Sequence, residues 1–509
     1  MMKRSLLLLS FLAVPCVVTP CKGDNTATPN TDTAAPGIPT ATVSPLDKLC
    51  ELVKIMNIPD AEIKFLRAGY TGDTATLENL KDKNHIGLYC FGAAAAGNKE
   101  LVLQCLDKGA HPNRGLGGAA LGGHMDIVQL MLSKGADPND GLYGAALGGY
   151  MDIVQLLLSK GADSNKGLAG AAYGGHMDIV QLLLDKWATN LNDGLKGAAE
   201  GGHMDIVQLL LSKGATDYND GLSNAARYGH MDIVRLLLSK GAEPNKGLYD
   251  AAEYGHMDIV QLMLSKGATD YDRGLKGAAG GGHMDIVQLM LSKGADPNAG
   301  LWNAAWDGHM DIVRLLLSKG ATDYNDGLEA AALGGHMGIV QLMLDKGATS
   351  YNYGLMGAVL DGHMDIVQLM LSKGATDYNS GLSLAAMYGH MDIVRLLLSK
   401  GADPNEGLSR AAEYGHMGIV RLLLSKGADP NEGLYGAAYG GHMGIVRLLL
   451  SKGATDYDRG LRGAAWGGHM DIVQLMLDKG ATDLDKALKE AESLRHTKCA
   501  ELIRAAMKK

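Results

Sequence analysis

Histidine recurs along most of this chain at a nearly constant spacing, as at His124, His176 and His203. Imidazole is a common metal ligand, and a shared zinc ion would need each ligand nitrogen within about 2.1 Å. Positions one period apart in packed helices are separated by about 8–10 Å instead. We therefore expect each histidine to hydrogen-bond the backbone of its turn. The spacing predicts no metal site and no other cofactor.

Other motifs that carry chemistry are incomplete or absent. Residues 217–228 resemble a calcium loop, but Gly221 comes one place early and Tyr228 stands where a bidentate Glu belongs. No phosphate-binding loop, nucleophile elbow or Cys-x-x-Cys pair occurs. Cys50, Cys90, Cys105 and Cys499 have no framework spacing and are interpreted as small apolar residues. The chain is therefore predicted not to be an enzyme.

Aromatic residues stand at the few positions that vary in an otherwise monotonous sequence. Two residues after each Gly-Leu and two after the following Ala-Ala differ from copy to copy, and one such pair is spaced i, i+4, on one helix face. Tyr and Trp commonly anchor protein interfaces. Partner-binding residues are predicted at Trp302, Trp306, Tyr249, Tyr254, Tyr228, Tyr388, Tyr414, Tyr435, Tyr439 and Trp466. The alternative is drift, with each ring packing on the next copy; the pair Trp302 and Trp306 is the strongest candidate.

The elements that must position these residues are helix pairs in a tandem repeat. The phrase G-L-x-x-A-A-x-x-G-H-M-D-I-V-Q-L-x-L-S-K-G-A returns every 26 or 27 residues from Gly115 to Gly460. Leu116, Ala119 and Ala120 share one face of a short first helix. The second helix is apolar over much of its circumference, as expected between two neighbours. Such a period indicates a solenoid.

The pattern L-x-x-A-A-x-x-G-H-x-x-I-V-x-x-L-L-x-x-G-A-D-x-N resembles the ankyrin repeat over about four-fifths of the chain. The resemblance implies an all-α solenoid of stacked helix pairs whose variable first-helix positions face a concave groove. The usual period is 33, whereas Asp137-Pro138-Asn139 is followed here by only two residues before Leu142. The β-turn fingers are therefore predicted to be shortened. The tyrosines of the longer turns are interpreted as turn anchors: Tyr218, Tyr271, Tyr324, Tyr378 and Tyr457.

The repeats have atypical ends and one irregular member. Residues 46–88 are predicted to form an N-terminal helical cap, 89–486 an array of about 15 repeats, and 487–509 a C-terminal capping repeat. Trp187 stands at the position where all the remaining second helices of the array end in Gly. A left-handed Trp costs about 1–2 kcal/mol, so we predict a local softening or an altered bend near 186–193.

The N-terminus differs from the rest of the chain. Lys3 and Arg4 precede an apolar run that ends near Pro20, so residues 1–23 are predicted to be an export signal. An ordinary cleaved peptide and a lipid anchor on Cys21 or Cys16 both remain as alternatives. Residues 24–45, rich in Thr, Ala and Pro, are interpreted as a disordered tether.

Charge and repeat architecture together limit the function. The net charge of −9 and scattered Arg residues disfavour a nucleic-acid partner. We expect an exported, secreted or envelope-bound scaffold, resembling ankyrin proteins of host-associated bacteria, that binds a partner protein (a host protein being one candidate). Membrane contact is expected only through the signal or a lipid anchor. The alternative function is a structural spacer or lipoprotein rod without a specific partner.

Overall fold

The computed structural model describes residues 60–80 and 83–508. The predicted signal at 1–23, the tether at 24–45, Cys16, Cys21 and the first part of the predicted cap lie outside the described residues. No helix in the described ranges is long and apolar enough to cross a bilayer.

The described residues form helices and no strands, and they divide into two units, one ending at Asp217 and one beginning at Tyr218. The helices of the first unit are α1 Asp60–Thr71, α2 Thr74–Asn79, α3 Lys83–Ala95, α4 Lys99–Asp107, α5 Pro112–Gly122, α6 Met125–Ser133, α7 Asn139–Gly148, α8 Met151–Ser159, α9 Asn165–Gly174, α10 Met177–Asp185, α11 Leu191–Gly201 and α12 Met204–Ser212. From α3 onward, odd-numbered helices are the first helices of the repeats and even-numbered helices are the second.

The second unit continues the same alternation. Its helices are α13 Tyr218–Arg227, α14 Met231–Ser239, α15 Pro244–Glu253, α16 Met257–Ser265, α17 Tyr271–Gly281, α18 Met284–Ser292, α19 Pro297–Trp306, α20 Met310–Ser318, α21 Tyr324–Leu333, α22 Met337–Asp345, α23 Tyr351–Leu360, α24 Met364–Lys373, α25 Tyr378–Tyr388, α26 Met391–Ser399, α27 Asn405–Glu413, α28 Met417–Ser425, α29 Pro430–Tyr439, α30 Met443–Ser451, α31 Tyr457–Gly467, α32 Met470–Asp478, α33 Leu484–Ser493 and α34 Thr497–Ala506. The predicted all-α fold of stacked helix pairs is confirmed.

The connections between repeats are tight turns, as the shortened period predicts. Between α6 and α7 only residues 134–138 are non-helical. The five tyrosines interpreted as turn residues each open a first helix, as Tyr271 opens α17. The predicted limits of the array, after residues 88 and 486, fall inside α3 and α33, so the terminal helix pairs begin at Lys83 and Leu484.

Within each unit, the core is built from the invariant residues of both helices. In the repeat that opens at Gly300, Leu301, Ala304, Ile312 and Leu316 are all buried. The small opening Gly allows close stacking: a Cβ on Gly300 would lie 3.0 Å from Leu275 Cγ of the preceding repeat. Each helix pair thus buries its apolar residues against its neighbours, which is the energetic basis of a repeat array.

A column of histidines joins successive first helices through the backbone. His124 Nε2 lies 3.1 Å from the Ala95 carbonyl oxygen, and the same contact recurs at 2.8–3.1 Å down the second unit, as in His309 with Gly280. The histidine contacts backbone, as predicted, but the carbonyl lies near the end of the first helix of the preceding repeat and not in the histidine's own turn. Burial lowers the pKa of His442, which favours the neutral ring that this donor role uses.

A second column runs along the turns through asparagine side chains. Asn298 Oδ1 accepts the backbone N–H groups of Thr322, at 2.8 Å, and of Asp323, at 3.1 Å. Asp272 and Asp458 take the same position in two repeats and accept the same kind of bond. Side-chain oxygen atoms therefore connect each turn to the next. They take the place of the backbone hydrogen bonds that a longer β-turn finger would make.

Trp187 adopts the predicted left-handed conformation, with φ 70°, and its side chain is 85% exposed. The turn around it carries additional hydrogen bonds. Ser164 Oγ donates to the Lys186 carbonyl at 2.8 Å, and Asn190 Nδ2 donates to the Asn165 carbonyl at 2.8 Å. These added bonds would oppose the predicted softening of 186–193, which stays a prediction.

Candidate interaction surface on the first helices

All ten predicted partner-binding residues lie in the second unit, on first helices or on the residue directly after them. Seven of them are exposed: Tyr228, Tyr254, Trp302, Tyr388, Tyr414, Tyr439 and Trp466. Tyr249, Trp306 and Tyr435 are partly buried. They are brought together in small groups, and their role in binding stays a prediction.

The closest group is the pair of tryptophans on α19. The ring centroids of Trp302 and Trp306 are 5.2 Å apart, with the ring planes inclined by 47°. This is the contact expected from their i, i+4 spacing, and it lies in the range that favours aromatic pairs. The two rings form one aromatic surface that the core does not need.

A second pair lies on α29, where Tyr435 and Tyr439 stack with centroids 6.3 Å apart. Tyr435 also packs on the following repeat, since a Cβ on Gly463 would lie 3.3 Å from its ring carbon Cδ2. For Tyr435 the alternative interpretation, packing on the next copy, is therefore partly correct. Two neighbouring ion pairs, Arg410 with Glu413 at 2.9 Å and Arg462 with Glu490 at 2.8 Å, neutralise the charges near these rings.

A buried ionic cluster that the sequence did not predict lies between α13 and α15. Arg227 donates from Nε and Nη2 to Asp250 Oδ1, at 3.1 and 2.8 Å, and Ser223 Oγ hydrogen-bonds Asp250 Oδ2. Burial lowers the pKa of Arg227, but Asp250 outweighs it and the net pKa is raised. The Arg227 guanidinium also lies 5.4 Å from the ring centroid of Tyr254. The sequence does contain a signal for this cluster. In no other repeat of the array is the position equivalent to Asp250 an Asp, and Arg227 stands in the preceding repeat.

Three carboxylates at variable positions, on α15, directly after α19 and on α21, were also absent from the predicted site. Burial raises the pKa of Glu253, Asp307 and Glu329. Tyr249 Oη donates to Glu253 Oε1 at 3.3 Å, and burial together with Glu253 raises the pKa of that tyrosine to about 12. These acids stand at the same variable positions as the aromatic residues, but an argument from ring side chains does not select them.

The first unit has a cleft of about 470 Å³ on its own first helices, lined by residues that include Tyr143, Tyr173, Asn190, Lys196 and Glu200. Its lining mixes rings with charges of both signs. None of the predicted partner-binding residues lines it. In the described ranges no group of three His, Cys, Asp or Glu side chains is arranged to hold a metal ion.

The family models agree with this architecture. A model described as ankyrin repeats in three copies matches residues 142–221, 168–247, 195–274, 222–301, 275–354, 328–407, 355–433 and 408–487. A single-repeat ankyrin model matches 119–141. Among solved structures, the human ASB11 ankyrin repeat domain is 23% identical, with 30% of this chain and 84% of that chain covered and a TM-score of 0.26.

No curated protein matches the chain. The family models cover well over half of it and include every first helix that bears a predicted aromatic residue. Ankyrin repeats indicate a scaffold for protein–protein interaction. The chain belongs to the ankyrin repeat family.

Proposed function

We propose that this chain is a non-catalytic scaffold that binds a partner protein through the first helices of its second unit, on the concave face expected for ankyrin repeats. The observation that carries the proposal is the tryptophan pair Trp302 and Trp306, in contact at 5.2 Å and absent from the core. Large amphipathic rings that the fold does not bury are typical of interface hot spots. Their position on one helix gives the partner a rigid surface.

The proposal includes export from the cell. It is supported by the sequence of residues 1–23, in which two basic residues precede an apolar run. A lipid anchor at Cys21 or Cys16 would hold the scaffold at the envelope, and cleavage without lipidation would release it. Mass spectrometry of the mature N-terminus distinguishes these two fates and would refute export if Met1 or Met2 is retained in cells.

The binding surface is tested by photo-crosslinking in the native cells. A benzophenone amino acid at position 302 should yield one dominant crosslinked protein, whereas the same probe at Gln288, exposed on the second helix α18, should not. The double substitution W302S/W306M should abolish capture by a probe placed at Glu329. Serine and methionine stand at these two positions in another repeat, as Ser383 and Met387, so the variant is expected to fold.

A spacer function is the alternative, and matched deletions separate it from binding. Deleting residues 300–353 or residues 354–406 removes two whole repeats in either case. A spacer should respond equally to both changes, because only length matters. A binding scaffold should lose its partner only when 300–353 is removed. Equal loss or equal retention would contradict the binding proposal.

A further inference from the structure

We propose that Trp302, Trp306, Asp307 and Glu329 form a recognition site for a Lys or Arg side chain within an extended basic segment of a partner protein. This inference rests on the proposed binding function and specifies the chemistry of the partner. We refer to these four residues as the Trp–acid patch. Trp302 and Trp306 lie on α19 and Asp307 directly follows it, whereas Glu329 lies on the next first helix, α21, which packs against α19.

The aromatic half of the patch offers two ring faces. Trp302 is 36% exposed, and its ring is inclined by 47° to that of Trp306. Among aromatic side chains, indole attracts a cation most strongly. Elsewhere in this unit the chain already uses such contacts, since Arg273 lies 5.9 Å from the ring centroid of Tyr249. The tryptophan pair has no such cation within the described residues.

The acidic half lacks partners in the described part of the chain. Neither Asp307 nor Glu329 has a side-chain hydrogen bond or ion pair there, although both are partly buried. The groups that act favourably on the Asp307 carboxylate are the imidazoles of His309 and His336, and Asp326 acts unfavourably on Glu329. Asp307 leans over Gly280 of the preceding first helix, where a Cβ would lie 3.3 Å from its Oδ2. A partly desolvated carboxylate without a counter-ion is destabilising. A cationic ligand would relieve that cost.

The neighbouring cations do not serve this purpose. Arg227 is held by Asp250, and Arg273 lies over Tyr249. Lys276 lies on α17, the first helix that precedes α19. It is exposed and forms no ion pair with Asp307 or Glu329. The tyrosine pair on α29 provides the contrast, because the nearby carboxylates of Glu413 and Glu490 are already paired with arginines. Charge complementarity therefore favours a basic occupant at the Trp–acid patch specifically.

The spacing of the helices selects an extended segment. Packed helices lie about 8–10 Å apart, and an extended chain advances about 3.3 Å per residue. Basic residues three apart would therefore meet successive first helices. The probe is a fluorescent peptide of four Gly-Ser-Arg units, and its control is the same peptide with citrulline, which keeps the shape of arginine and removes its charge.

The test measures peptide affinity for the full chain by fluorescence anisotropy at low salt. D307N/E329Q should weaken binding about 10-fold or more, as expected for lost charge-assisted contacts, and W302S/W306M about 5-fold or more. D285N/D311N removes the same charge from exposed positions on second helices of nearby repeats and should change affinity less than about 2-fold. The citrulline peptide should not bind.

The inference is overturned if both acid variants lose affinity equally, since that would indicate attraction to net charge alone. It is also overturned if the citrulline peptide binds as well as the arginine peptide. In either case a specific crosslink from position 302, together with a crosslink from position 329 that W302S/W306M abolishes, would still support the proposed function. Loss of both results would contradict both proposals.

Discussion

At the residue scale, Trp187 and the Trp–acid patch depart from what stability alone would select. Trp187 occupies a left-handed position that the other second helices of the array give to glycine, yet its side chain is 85% exposed. Asp307 and Glu329 are partly buried without an ion pair, and the only favourable charges on Asp307 among its named neighbours come from the imidazoles of His309 and His336. Such departures concentrate at functional sites because folding does not favour them.

Replacing Trp187 with glycine should stabilise the first unit. Glycine removes the left-handed penalty of about 1–2 kcal/mol, and little burial is lost because the indole is exposed. The urea midpoint of W187G should rise accordingly. W187A is the control, since alanine keeps the Cβ and should recover little. A W187G protein no more stable than W187A would show that the turn tolerates the Cβ.

The acids of the Trp–acid patch should reduce stability at neutral pH. Their pKa values are raised by burial, so the folded chain binds more protons than the unfolded chain between the unfolded and folded pKa values. Stability therefore falls as pH rises through that interval, and the cost is complete above the folded pKa.

D307N/E329Q should consequently have a higher melting midpoint than wild type at pH 7 and the same midpoint near pH 3, where the wild-type acids are protonated. D285N/D311N should show no such gain at pH 7. A double variant less stable than wild type at pH 7 would mean that the two carboxylates make favourable contacts within the fold.

At the scale of elements, the two helices of each repeat have different tasks. Second helices carry the invariant Ile, Val and Leu or Met core, and first helices carry the variable residues that form the candidate surface. The histidine and asparagine columns connect one repeat to the next at either end of the first helix. They hold the first helices in register, which fixes the spacing of Trp302 relative to Glu329.

The asparagine column can be tested at Asn298, whose Oδ1 accepts two backbone N–H groups. N298A would remove that acceptor from two solvent-exposed donors, at a cost of about 0.5–1.5 kcal/mol. N298D is the matched control because aspartate performs this role at Asp272 and Asp458. Chemical denaturation should show a loss for N298A and near-wild-type behaviour for N298D; equal loss in both would assign the effect to the amide nitrogen, which donates to Asp296 Oδ1 at 3.2 Å, and not to the acceptor.

Most of the fold was predictable from the sequence because its determinants are local and repeated. Leu301, Ala304 and Ala305 alone specify the buried face of a first helix, and each copy confirms the others. The site was less predictable. Whether Asp307 finds a cation depends on Gly280 and Arg273 in neighbouring repeats, and whether Tyr435 packs inward depends on Gly463. Those relations join residues about one period apart and involve positions where the copies differ.

At the scale of the whole molecule, stability is a sum over repeats and their nearest neighbours. The chain has two units, and within each the core residues contact only adjacent repeats. A local defect should therefore spread over a short distance, in contrast to a globular domain with a single cooperative core.

L316A tests this nearest-neighbour behaviour. Leu316 is fully buried on α20, and its truncation should cost about 2–5 kcal/mol locally. Hydrogen exchange should increase in the repeats from Gly274 to residue 353 and remain unchanged in 433–486. A uniform increase throughout the second unit would instead show that the unit unfolds cooperatively. The exposed substitution R314Q, on the same helix, should leave exchange unchanged.

The histidine and asparagine columns have a consequence for how the gene can change in length. Within a unit, most junctions between repeats join an imidazole to a first-helix carbonyl and an Asn or Asp side-chain oxygen to the following turn. An in-frame recombination between two copies of the coding repeat therefore rejoins faces that already match. The length of the array can change by whole repeats in one genetic event, and the candidate surface can gain or lose particular side chains while the product still folds.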